Sequence, residues 1–122
     1  MGLDQYAYIV DNEKQLYEED IREDFHWRKH NRLQGWMESL WRSKGNTKTF
    51  NCENLELTID DLIALQHDIE EKDLPETTGF FYGQDSYENY DGRGYKKEDE
   101  KFIKRAIEAI KEGKKVFYSC WY

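Results

Sequence analysis

Apolar and polar positions along this chain follow two different periods. Residues 3–10, LDQYAYIV, alternate with period two. Leu3, Gln5, Ala7 and Ile9 fall on one side, and Tyr6, Tyr8 and Val10 on the other, which predicts a strand. The closing run behaves alike: Val116, Tyr118, Cys120 and Tyr122 alternate with Phe117, Ser119 and Trp121. Between these runs the period changes to that of a helix. Leu33, Trp36, Met37, Leu40 and Trp41 form one stripe, predicting a helix from about 24 to 43. Asp24 is its expected N-cap and SKGN its stop. Ile59, Leu62, Ile63, Leu65 and Ile69 mark a second helix. Thr58 and Asp61 open it as a capping box, with Asp in place of the usual Glu or Gln. Phe102, Ile103, Ala106, Ile107 and Ile110 mark a third over 97–112. Glu98, Asp99 and Glu100 suit its N-terminal dipole, and Gly113 ends it.

The remaining segments are less periodic. Residues 11–24 are acidic, with Leu16, Tyr17 and Ile21 fitting a short helix or a draped loop. Residues 53–57 read as extended, and Pro75 closes the second helical segment. Residues 76–96 are punctuated by glycine, with a short strand expected at 79–83 and a turn at Asp91–Gly92. The expected fold class is α+β: a small antiparallel sheet that includes the N- and C-terminal strands, paired in its middle, packed with about three helices. The length of 122 residues fits a single domain, 1–122.

Composition sharpens this picture. Aromatic residues are 16% of the chain, so Trp, Tyr and Phe must supply much of the core. The net charge of −8 disfavours direct nucleic-acid binding, which needs clustered Lys and Arg. That charge is unevenly placed. Residues 1–25 carry eight acids and two bases, and residues 26–48 six bases and one acid. Residues 49–100 carry fifteen acids and four bases, and residues 101–122 six bases and two acids. Mutual neutralisation on a mixed surface is the plainer expectation; a single basic patch is the other. Cys52 and Cys120 lack CxxC spacing and read as reduced thiols. There is no apolar run of membrane-spanning length and no secretory pattern at the start.

Candidate chemistry concentrates in FHWRKHNRLQGWMESLW, residues 25–41. His26 and His30 have metal-ligand spacing on a helix, but Trp27, Arg28 and Lys29 lie between them. The Glu of a zincin is missing, and two cations would repel a metal, so no metal or cofactor is expected. His26, Lys29 and His30 would prolong the apolar stripe, either lining an anion pocket at the helix start or reaching the acidic 11–24 segment in salt bridges. The glycine spacing in 79–94 fits neither a P-loop nor a dinucleotide fingerprint. Tyr82, Tyr87, Tyr90 and Tyr95 read as a protein-contact surface, Phe80 and Phe81 as core. A Cys–His nucleophile has little support, and no catalytic signature is present.

Four segments taken together resemble a family of small bacteriophage and prophage proteins: MGLDQYAY, WRKHNRLQGWM, LPETTGFFYGQDSYENY and FYSCWY. The shared features are an MGLD-aromatic start, a WRKxN helix, a GFFYG loop and a closing aromatic strand. They fall here on Trp27, Arg28, Lys29, Asn31, Leu33 and Trp36, on 79–83 and Tyr87, and on Phe117, Tyr118, Ser119 and Trp121. The resemblance implies a phage-encoded protein acting in the host bacterial cytoplasm. Two functions are expected. One is an accessory protein that binds and modulates a host protein, for takeover or to inhibit defence. The other is a small-ligand or nucleotide binder, a sponge or weak catalyst, using the 27–31 helix start and the 79–83 loop to hold an anion. The residues proposed to carry binding are Trp27, Arg28, Lys29, His30, Asn31, Tyr82, Tyr87 and Tyr90.

Overall fold

A computed structural model describes residues 3–75 and 95–122. Tyr82, Tyr87, Tyr90, the strand expected at 79–83 and the Asp91–Gly92 turn lie outside the described residues.

Both alternating runs are strands. The first, β1, spans Asp4–Val10, and the last of the described strands, β4, spans Lys115–Trp121. Between them come β2 (Phe25–Arg28), α1 (Asn31–Ser43), β3 (Leu55–Leu57), α2 (Ile59–Glu70) and α3 (Tyr95–Lys111). A short 3-10 turn, Glu13–Tyr17, interrupts the acidic segment. The sheet is antiparallel throughout, in the order β2-β1-β4-β3. The first and last strands therefore do form its centre.

Register divides the sheet into two faces. Gln5 and Ala7 pair with Cys120 and Tyr118 on one side and with Trp27 and Phe25 on the other. These side chains, with Leu55, Leu57 and Val116, meet Leu33, Met37 and Trp41 of α1 in the core. Leu62, Leu65 and Ile69 of α2, and Phe102, Ile103, Ala106 and Ala109 of α3, complete it. Ile63 departs from expectation and is 52% exposed, because the buried stripe runs through 62, 65 and 69. Gly45 and Gly113 follow α1 and α3 at φ +91°, a left-handed conformation that glycine adopts without Cβ strain.

The α2 capping box is present. Thr58 Oγ1 accepts from Asp61 N, and Asp61 Oδ2 accepts from Thr58 N at 2.9 Å. Lys44 Nζ donates to the same carboxylate at 2.8 Å. Partial burial pushes the Asp61 carboxyl up, but Lys44 and the Thr58 donors outweigh it and hold it below the ordinary 3.8. A carboxyl lowered on folding contributes stability above its unfolded pKa and loses it as pH falls through the folded value. This support therefore fades only at acid pH, below about 3.8. Thr58→Ala should cost about 1 kcal/mol in urea unfolding, with Thr58→Asn largely restoring it. An unchanged midpoint for the alanine variant would sink the assignment.

Candidate functional site

The segment Phe25–Asn31 is not the beginning of a helix. Phe25 and Trp27 alternate with His26 and Arg28, and this run pairs with β1 as an edge strand. Lys29 then takes φ 56°, its N–H donating to Leu3 O at 2.8 Å, and turns the chain. His30, not Asp24, caps α1: its imidazole accepts from Leu33 N at 3.4 Å. This corrects the expected helix over 24–43. It also removes the helical spacing of His26 and His30. Among the described residues no group of His, Cys, Asp and Glu is arranged to hold a metal.

His30 is buried, and its Nε2 lies 2.8 Å from Oδ2 of Asp99 on α3. With Nδ1 accepting from Leu33 N, the ring carries its proton on Nε2 and donates to the carboxylate. Asp99 Oδ1 accepts from Trp27 Nε1 at 3.0 Å. The Tyr95 ring stacks on the imidazole, with centroids 4.1 Å apart and planes 2° from parallel, and its hydroxyl donates to Arg28 O at 2.9 Å. Trp27 also packs edge-on against Phe102. The first turns of α3 are thereby clamped onto the β2–α1 junction. Asp99, near the N-terminal end of α3 as its dipole favours, is also the acceptor for two buried donors.

A second set of polar groups continues through the core. Gln5 clamps the His30 backbone, donating to its carbonyl and accepting from its N–H, both at 2.9 Å. Gln5 Nε2 donates to the Tyr118 hydroxyl, which donates to Gln34 Oε1 at 2.6 Å. Gln34 Nε2 donates to Cys120 Sγ, which donates to Phe50 O. Each donor in this chain has an acceptor, as a buried polar network requires. Burial pushes the Cys120 thiol up to about 12, against the opposing Gln34 donor. An acid raised on folding stabilises the fold below its unfolded value and loses that support as pH climbs. For Cys120 the window runs from 9.0 to about 12. Native protein should therefore alkylate at exposed Cys52 alone near pH 8, and at both thiols once unfolded. Equal native labelling of Cys120, read by mass spectrometry, would contradict this burial.

The residues singled out from sequence now separate. Trp27, His30 and Asn31 are buried at 4%, 1% and 4% exposure. Trp27 is a core residue, and both ring nitrogens of His30 are engaged. Arg28 and Lys29 are exposed. Arg32 is buried and donates to Leu74 O at 2.9 Å. Tyr95 belongs to α3, not to a loop.

The opposite face of the sheet brings His26 and Arg28 together with aromatic side chains of β1 and β4. By register, Asp4, Tyr6 and Tyr8 lie there with His26, Arg28, Ser119 and Trp121. Tyr6 stacks on His26 at 5.2 Å, and Trp121 is 60% exposed. Val10 and Phe117, toward the other end of this face, are buried. The acidic segment is tied alongside: Asp24 Oδ2 accepts from Ile9 N at 2.7 Å, and Asp24 N donates to Ala7 O. Burial first, then Asp4 and Glu23, push the Tyr6 hydroxyl above its ordinary 10.0; burial and Glu23 do the same to Tyr8. The expected salt bridges from His26, Lys29 and His30 to 11–24 do not form. His26 and Arg28 meet Asp4, at 3.2 and 3.8 Å, and His30 meets Asp99. Among the described residues, Lys29 and the acids of 11–24 are in no ion pair.

No protein-family model, no curated protein and no solved structure matches the chain. The functional reading therefore rests on its own residues. Among the described residues no helix is long and apolar enough to cross a membrane.

Proposed function

We propose that this is a phage-encoded accessory protein that works in the host bacterial cytoplasm by binding a host protein, and that the outer face of the sheet is its contact surface. The observation that carries the reading is Trp121, 60% exposed beside the Tyr6–His26 stack. Helices α1, α2 and α3 supply the core on the other face, and Trp121 stays open although Val10, Phe117 and Ser119 on this face are buried. Trp, Tyr and Arg are enriched among the side chains that dominate binding energy at protein interfaces, the two aromatics because they bury large areas at modest entropic cost. Here Trp121, Tyr6 and Arg28 occupy neighbouring register positions. Origin and compartment are supported by the four phage-like segments quoted above. Trp27 and His30 contribute by fixing β2, which positions His26 and Arg28.

The test is affinity capture from bacterial lysate at low salt, with wild-type protein and Trp121→Ala. A host protein retained by wild type and lost from the variant, with unchanged circular dichroism, is the expected outcome. No specific partner, or one held equally by both proteins, would dismiss the reading.

A further inference from the structure

The acidic segment beside the aromatic face narrows the chemistry of the partner. Residues 11–24 hold Asp11, Glu13, Glu18, Glu19, Asp20, Glu23 and Asp24 against only Lys14 and Arg22. Among the described residues none of these charges is in an ion pair. All seven acids are exposed, as is Tyr17 at 74%. Asp24, hydrogen-bonded to Ile9 and accepting from its N–H, fixes the end of the segment against β1.

We infer that the surface docking on this face is a Lys/Arg-rich patch of a folded host protein, held by the aromatic rings and the acidic segment together. This rests on the reading of the outer face as the contact surface. Two independent features converge on one chemistry. Guanidinium and ammonium groups are attracted to Trp and Tyr ring faces, through cation–π contacts. They are attracted equally to unpaired carboxylates, which steer association at long range. His26 and Arg28 do not oppose this strongly, since both lie against Asp4. The same charge disfavours two rival occupants of an aromatic sheet. Single-stranded nucleic acid stacks on such rings but needs a basic groove for its phosphates. A second copy of this chain would bring one acidic segment toward another.

The experiment divides a nuclease-treated bacterial lysate on immobilised heparin and offers both fractions to the full-length protein. Retained proteins are identified, purified and titrated against wild type, Trp121→Ala and the triple variant Glu18→Gln/Glu19→Gln/Asp20→Asn. The expected partner comes from the heparin-retained fraction and is displaced by free heparin. Its affinity should fall about tenfold in the triple variant, as removed steering charges imply, and also in Trp121→Ala. A partner from the flow-through fraction that is lost with Trp121→Ala but indifferent to the triple variant overturns the cationic patch and leaves the contact face standing. A partner indifferent to both overturns the contact face as well. Capture that vanishes on nuclease treatment, or self-association in place of capture, also overturns the inference.

Discussion

Asp99→Ala should destabilise the fold by on the order of 2–6 kcal/mol, because it leaves two buried donors without an acceptor at about 1–3 kcal/mol each. The donors are Trp27 Nε1 and His30 Nε2, at 3.0 and 2.8 Å from the carboxylate. A domain of this size has roughly 5–15 kcal/mol in total, so the variant should lie near its unfolding threshold at 25 °C. Urea denaturation followed by tryptophan fluorescence reads the change. Trp27→Phe in the Asp99→Ala background supplies the control. It removes one orphaned donor, so the double variant should be less destabilised than the two single changes predict together. A loss below about 1 kcal/mol for Asp99→Ala, or strict additivity, would show that the carboxylate is not the shared acceptor.

Removing Cys120–Tyr122 should abolish the native fold. The deletion ends β4 at Ser119 and takes away its pairing with Asp4 and Gln5 in the centre of the sheet. It removes Cys120 Sγ from the buried chain that ends at Phe50 O, so Gln34 Nε2 loses its acceptor. It also removes both bonds between Asn51 and the Tyr122 backbone, and the Cys52 N to Cys120 O bond that seats the preceding segment. Several lost hydrogen bonds at about 0.5–1.5 kcal/mol each, plus an orphaned buried amide, approach the whole stability. Far-UV circular dichroism should show loss of cooperative melting. Trp121→Ala should melt within about 0.5 kcal/mol of wild type, as surface substitutions do. A cooperative melt in the truncated chain would mean that β4 is dispensable beyond Ser119.

The same contrast between paired backbone and exposed side chain explains what could be anticipated. Where one face of an element is buried along its whole length, its period is written in the residues. Leu3, Gln5, Ala7 and Ile9 gave β1; Leu33, Met37 and Trp41 gave α1; Thr58 and Asp61 marked the start of α2. Those signals are local, so no tertiary information was needed. Phe25–Arg28 shows where locality ends. Its four residues alternate, but they join directly to a helical stripe, and the helical period could be extrapolated backward through them. Pairing with β1 is what makes them a strand, and Lys29 at φ 56° is what breaks the helix. Gln5 offered one legible hint: a polar side chain on an otherwise apolar stripe needs a buried partner.

The sequence by itself determined the α+β class, the helical stripes and the aromatic load of the core. All of these follow from hydrophobic period, capping chemistry and composition, which act between near neighbours. Only the tertiary structure decided the partners of the polar residues that meet across the chain. Asp99 meets His30 across 69 positions, and Gln5 meets Tyr118 across 113. His26 and Arg28 went to Asp4, which left the acids of 11–24 unpaired beside an aromatic face. A hydrogen bond or an ion pair is satisfied by whichever group the fold brings within about 3 Å, and that distance is set by strand register and helix docking.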